Sequence, residues 1–231
     1  MLCVPTIKFL SDVPDEILDI LDKEIESWDF RNYNNFLNIA VFDIVKSISY
    51  TETDTDEKYI TNIAQVFKWL ELFFPDKTPI YANMLAIFPG QRYPVHIDAL
   101  ELHIVSNRIH IPVITDSESK LWFFKKVNEV WAEDTYHIKR GEAWEISNVT
   151  PHSAENLSNF WRVHFVVDLI DKQLKESKDY KFWRQVNEKY ARFSNLINLE
   201  FEKNQDPELK RWSQSSVKEN NKKIISACNN I

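Results

Sequence analysis

The sequence predicts an α+β domain in which helices flank an antiparallel sandwich or barrel. Two observations carry this. Residues 79–170 break into short segments rich in β-branched and aromatic residues, at 79–88, 92–97, 101–105, 108–114, 120–125, 142–146 and 160–169, with turn-forming residues between them. On either side, apolar residues recur at helical rather than alternating spacing. A chain of 231 residues with 44% hydrophobic content can bury the core of one globular domain. Within that domain we read a supporting region at 1–78, a β core at 79–170 and a helical extension at 171–231.

In the first region, Ile17, Leu18, Leu21, Ile25 and Trp28 form one stripe of a helix, with Asp12 expected as its cap. Ile60, Ile63, Val66, Phe67, Leu70 and Phe74 form a second stripe, and Pro75 ends that helix. Residues 37–50, between the two, read as a strand. The chain has only two glycines, Gly90 and Gly141, and both fall in the strand-rich zone. Scarcity this great predicts turns that need positive φ at both. In the last region, Tyr180, Phe182, Trp183, Tyr190, Phe193, Leu196 and Trp212 predict helices against the outside of the barrel, with the final dozen residues frayed.

The net charge is −7, and it is unevenly spread. Residues 171–231 carry 13 Lys/Arg against 9 Asp/Glu, whereas the remainder carries 15 against 26, so no broadly basic face offers itself to nucleic acid. Cys3 and Cys228 form neither a disulfide framework nor a zinc spacing, which fits a reducing, cytoplasmic setting. No basic stretch followed by an apolar run opens the chain, and no apolar run is long enough to span a membrane. We therefore expect neither a secretory leader nor a membrane anchor.

Four residues carry the chemistry. His96 and Asp98 stand in RYPVHID (92–98), and residues two apart on an extended segment point to the same side, within reach of one metal. His152 stands in GEAWEISNVTPHSAEN (141–156); alone, a histidine at the mouth of a loop is more often structural than a ligand. Together, two imidazoles and one carboxylate are the set that leaves a face of Fe(II) open. Arg162 stands in FWRVHFVVD (160–168). Alternation puts Arg162, His164, Val166 and Asp168 on one face, with Trp161, Val163, Phe165 and Val167 on the other. An arginine there either snorkels at a sheet edge or lies inside a barrel with an anion to neutralise it. The apolar opposite face favours the inside. Arg108 and His110, in NRIHIPVITD (107–116), repeat the Arg-x-His pattern. A dicarboxylate in the cavity would neutralise several of these cations; internal Asp and Glu are the alternative. Trp122, Phe124 and Trp144 belong either to the core or to the cavity wall.

The strings HID, RIHIPV, GEAWEISN, PHSAEN and WRVHFVVD, in this order and spacing, resemble the aspartyl/asparaginyl β-hydroxylase family of Fe(II)/2-oxoglutarate dioxygenases, to which the free L-proline cis-hydroxylases are related. The resemblance covers about 85–170 and neither flank. It implies a double-stranded β-helix, a jelly-roll, cupin-like barrel with iron at one mouth. It implies that His96, Asp98 and His152 bind the metal and that Arg162 binds the distal carboxylate of 2-oxoglutarate. Arg108 and His110 match a pair near the co-substrate's other carboxylate or the substrate. No catalytic side chain is expected beyond these ligands. The implied cofactors are Fe(II), 2-oxoglutarate and dioxygen, with ascorbate in support, and the implied substrate is an amino acid, free or within a peptide. One departure stands out. Some animal aspartyl hydroxylases have glycine where this chain has Asp98, which puts their peptide specificity in doubt here. The rival expectation is a non-catalytic or zinc-binding cupin-like jelly roll. Cupins typically offer His-x-His and a following Glu, and Asp98 argues against that. Loops 98–107 and 126–137 are expected at the pocket rim.

Overall fold

A computed structural model gives the fold and describes residues 7–26, 46–49, 57–93, 95–96, 106–128, 130–147, 150–176 and 207. In chain order these form β1 (Ile7–Asp12), α1 (Asp15–Glu26), β2 (Lys46–Ser49), α2 (Glu57–Leu70), β3 (Lys77–Ile87), β4 (Gln91–Arg92), β5 (Asn107–Ile114), β6 (Ser119–Val127), β7 (Val130–Tyr136), β8 (Glu142–Ile146), β9 (His152–Asn156), β10 (Arg162–Asp171) and α3 (Lys172–Glu176). The strands make two antiparallel sheets. The major sheet runs β1-β8-β5-β10-β3-β2 and the minor sheet β4-β9-β6-β7. The sheets do not close on each other, and the architecture is a double-stranded β-helix with helices packed on it. No helix among the described residues is long and apolar enough to cross a membrane.

The core explains the arrangement. Val163, Phe165 and Val167 of β10 join Ala82, Met84 and Ala86 of β3 and Ile109, Ile111 and Val113 of β5 on one face of the major sheet. Ile17, Leu18, Leu21 and Ile25 of α1, with Ile63, Val66, Trp69 and Leu70 of α2, cover that face. The amphipathic stripes read from the sequence are therefore the helix faces that bury the sheet. The other face of the major sheet looks toward the minor sheet. There Ile146 of β8 packs with Leu121 and Phe123 of β6 and with Ile138. β10 lies between these two layers, so all its residues from Arg162 to Ile170 are buried.

Several expectations need correction. Asp12 does not cap α1; it ends β1, paired with Glu142. The helix starts instead from Pro14, whose carbonyl accepts from the N–H of Ile17 and Leu18 at 3.0 and 3.1 Å, and Asp15 and Glu16 suit its positive end. β1 itself is unexpected because a register shift between Phe9 and Ser11 breaks its alternation. The extended stretch over 92–97 is interrupted: β4 ends at Arg92, and His96 rejoins the minor sheet as a single bridge to His152. The sequence puts a proline, with no N–H for a ladder, between them. The rim loop expected at 126–137 is mostly β7, joined to β6 through Asn128 at φ 48°. Asparagine is among the few side chains that accept that conformation. Trp28, most of 37–50, the segment 101–105 and the C-terminal apolar positions lie outside the described residues.

Gly90 and Gly141 have φ of 73° and 83°, as their scarcity predicted. Gly141 follows the loop that docks on α1, where its carbonyl accepts from the Val13 N–H at 2.7 Å. A methyl group there would meet only Leu18 Cδ1 at 3.8 Å, an ordinary contact. The cost of Gly141→Ala is therefore backbone strain, and we expect a loss of about 1–2 kcal/mol in urea unfolding. An unchanged midpoint would show that the turn is not held in that conformation.

Candidate active site

His96 and His152 meet through the backbone. Each donates its N–H to the other's carbonyl, both at 2.9 Å, in one antiparallel bridge. Such a pair places side chains next to each other on one face. The two imidazole centroids are 4.4 Å apart. Tyr93 packs edge-on against the His96 ring at 4.7 Å. Nδ1 of His152 lies 2.8 Å from the Thr150 carbonyl. A carbonyl only accepts, so the proton is on Nδ1 and the lone pair on Nε2. This is the tautomer that a metal-binding histidine needs, with its orientation fixed by the outer hydrogen bond. The two described members of the expected ligand set therefore come together in a form that suits a metal. Asp98 lies outside the described residues.

A second cluster sits on the inner face of the major sheet. Arg162 is only 3% exposed. Its one hydrogen-bond contact among the described residues is to Nδ1 of His164, at 3.2 Å from Nη2, and no carboxylate among them pairs with it. Burial pushes the guanidinium from 12.5 down to about 9, so it stays charged at neutral pH. His164 is 1% exposed and is held well below its usual 6.5, first by burial and then by the charges of Arg162, His110 and His137. It is neutral near pH 7. Arginine has only donors, so His164 Nδ1 accepts and its proton is on Nε2. That Nε2 is buried and has no hydrogen-bond partner among the described residues. Nδ1 of His110 lies 3.4 Å from Nδ1 of His164.

Arg108 is placed differently. Its Nε and Nη2 donate to the two oxygens of Asp168 at 2.9 and 2.8 Å. Asp168 is fully buried, and the two residues face each other across β5 and β10. For this cation, the internal carboxylate is the partner. The residues read as one inward face of β10 thus divide: Asp168 matches Arg108, while Arg162 stays without an anion from the described residues.

Packing connects the two clusters. The His152 ring is 6.0 Å from Phe123, which belongs to the apolar cluster between the sheets. Trp144 packs on that cluster and registers with His110, which touches His164. Trp122 and Phe124 alternate to the face of β6 opposite Phe123 and pack with Val95 and Trp131. Asn156 supplies a second tie. Its Nδ2 donates to the carbonyls of Ile87 and Phe160 at 2.9 and 2.7 Å, while its Oδ1 accepts from Ser119 and Ser158. Ile87 is the register partner of Arg162, so Asn156 fastens the His152 strand beside the buried cation. The sequence reading gave no role to Asn156 or Tyr93, and it put His164 on the inward face with Arg162 without naming it a site residue. Two signals were present: Asn156 ends the PHSAEN string, and His164 lies two residues from Arg162 on one face.

No family model and no curated protein sequence matches the chain. Solved structures do. An oxidoreductase of the 2OG-Fe(II) oxygenase family from Burkholderia pseudomallei superposes with a TM-score of 0.52 at 10% identity, over 71% of this chain and 84% of that one. HygX from Streptomyces hygroscopicus, with nickel and 2-oxoglutarate bound, superposes with a TM-score of 0.50 at 8% identity, over 72% and 83%. The fold is that of the 2-oxoglutarate Fe(II) oxygenases. At these identities the likeness is one of fold, and the chemistry has to be argued from the residues.

Two outcomes follow from this geometry. Asn156→Ala removes a donor to the buried Ile87 carbonyl and the acceptor of the Ser119 and Ser158 hydroxyls, and should cost about 2–4 kcal/mol in urea unfolding; a loss below about 1 kcal/mol would mean that Asn156 is not a tie between the sheets. His164 has a folded pKa below 6.5, so the unfolded chain takes up its proton first as pH falls. Its contribution is fully present above about pH 6.5 and is lost below it, by up to about 1.4 kcal/mol per unit. Between about pH 7.5 and about pH 5, wild type should lose more stability than His164→Gln. Parallel losses would contradict a buried, neutral His164.

Proposed function

We propose that the chain is an Fe(II)/2-oxoglutarate-dependent dioxygenase that hydroxylates an amino acid, either free or within a peptide. One observation carries the reading: Arg162 is a charged, buried guanidinium whose only side-chain hydrogen-bond partner among the described residues is a neutral histidine. An uncompensated cation of this kind is costly unless an anion arrives. A planar, two-oxygen group matches its fork. The distal carboxylate of 2-oxoglutarate is such a group. The fold supports the reading, since HygX holds 2-oxoglutarate and a metal on the same architecture.

His96 and His152 would hold the metal, with Asp98 as the third protein ligand. Two imidazoles and an acid leave coordination positions for co-substrate and dioxygen. Bound there, Fe(II) with 2-oxoglutarate and dioxygen supplies the oxidising power that converts a substrate C–H to C–OH, with succinate and CO2 as the other products. The chain's own contribution is placement. Arg162 fixes one end of the co-substrate and so sets where the other end lies. The Thr150 carbonyl holds the His152 ring, and Tyr93 backs the His96 ring. Arg108 and His110 would lie near the co-substrate's other carboxylate or the substrate, Arg108 held by Asp168 and His110 beside His164.

The test is succinate release from 2-oxoglutarate with Fe(II) and ascorbate. Wild type should turn over, and His96→Ala should reduce turnover to background. Arg162→Lys keeps the charge but loses the fork, and should weaken 2-oxoglutarate binding by about 1–3 kcal/mol. Full turnover in His96→Ala, or unchanged affinity in Arg162→Lys, would refute the reading. Metal retention without any binding of 2-oxoglutarate would instead identify a binding module.

A further inference from the structure

We propose that the imidazole pair His110–His164 takes up a proton when the co-substrate binds, so that affinity for 2-oxoglutarate rises as pH falls. The inference rests on the reading of the site given above and adds regulation by pH to it. The two rings meet nitrogen to nitrogen. Nδ1 of His110 lies 3.4 Å from Nδ1 of His164, with ring centroids 5.7 Å apart. Nη2 of Arg162 lies 3.2 Å from the same His164 nitrogen, and a guanidinium only donates, so that nitrogen carries no proton. The proton in the contact between the rings is therefore on His110. One more proton on the pair makes an imidazolium that donates to a neutral imidazole, a charge-assisted bond stronger than the neutral one. Both rings are buried, so little water screens them from the charge beside them.

The surrounding charges decide when the pair gains that proton. β10 presents Arg162 and Asp168, and Arg108 of β5 engages both oxygens of Asp168. β3 presents Leu85 in register with His164 and brings no charge there. β8 presents Trp144 in register with His110, and Glu142 shares the face of Trp144. Oε2 of Glu142 accepts from Trp144 Nε1 and from the Lys139 N–H, both at 3.0 Å. His137, with Nδ1 3.0 Å from the Ser119 carbonyl, lies on the positive side of the balance. Arg108 and Asp168 cancel, which leaves the Arg162 guanidinium as the charge in direct contact with the pair. Burial first, and then this guanidinium, holds His164 well below its usual 6.5. A carboxylate seated on Arg162 removes the second cause and leaves the first. The pair then holds a proton more readily, and by reciprocity the proton strengthens the hold on the carboxylate. The gain is complete below the pH at which the ligand-free pair titrates. It is lost as pH rises through the point at which the ligand-bound pair titrates.

The experiment is calorimetry of 2-oxoglutarate binding to the full chain loaded with Mn(II), without oxygen, in two buffers of different ionisation enthalpy. The difference between the buffers counts the protons taken up. At about pH 6.5 wild type should take up at least about 0.3 proton per ligand, and its affinity should tighten about threefold or more from about pH 8 to about pH 6. The ligand's carboxylates stay ionised over that range. The double variant His110→Gln, His164→Gln should take up none and show a flat profile. On wild type loaded with Zn(II), assigned ¹⁵N-histidine titrations should show a ring of this pair gaining its proton at higher pH once 2-oxoglutarate is present. That measurement decides the matter even if the double variant does not fold. No proton uptake by wild type, uptake that persists in the double variant, or rings that titrate alike with and without ligand would overturn the proposal. In each of those cases wild type still binds 2-oxoglutarate, and the reading of the site stands. A wild-type chain that binds no 2-oxoglutarate at any pH would remove that reading and this inference with it.

Discussion

A positive charge is buried at the centre of this protein without a carboxylate from the described residues to match it. Arg162 begins β10, the strand that lies between β3 and β5 and is covered on both faces. Removing a guanidinium from water costs several kcal/mol even after relaxation. Chains accept that cost where the site works on something that brings the opposite charge. The apolar run Val163, Phe165, Val167 on the reverse side, packed under two helices, anchors the strand well enough to hold the cation in place. Arg108 shows the contrast on the neighbouring strand, where an internal aspartate meets the guanidinium on two oxygens.

The two sheets divide the work. The minor sheet brings His96 and His152 together through a reciprocal backbone bridge, so their proximity does not depend on side-chain packing alone. The major sheet carries the buried Arg162 cation, with His164 and His110 beside it. Asn156 binds one to the other, with a carboxamide that satisfies two carbonyls and two hydroxyls at once. Rigid strands position both clusters, which is what a site needs to hold a co-substrate in one orientation.

Much of this was legible in the sequence because it is local. Period-two alternation in 160–169 separated the core face from the site face, and period-3.6 stripes gave both helices. The scarcity of glycine located two positive-φ turns. What stayed hidden was non-local or irregular. The bulge between Phe9 and Ser11 erased the alternation of β1, and the positive φ of Asn128, at a position without glycine, concealed the β6–β7 hairpin. His152 read as a loop residue because its strand is defined by partners far away in the chain. The match of Arg108 to Asp168 spans 60 residues. The sequence offered an internal carboxylate or a ligand for each arginine, and only the register of β5 on β10 separates the two cases. The strings behind the resemblance fared unevenly for the same reason: RIHIPV, PHSAEN and WRVHFVVD lie on β5, β9 and β10, whereas Asp98 of HID lies outside the described residues.

The most direct test of the account is a crystal structure of the chain grown without oxygen in Mn(II) and 2-oxoglutarate. The account predicts one ligand carboxylate two-pronged on Arg162, with the metal between the imidazoles of His96 and His152 and the carboxylate of Asp98. Arg162 paired with a carboxylate of the protein itself, or 2-oxoglutarate bound away from it, would contradict the account.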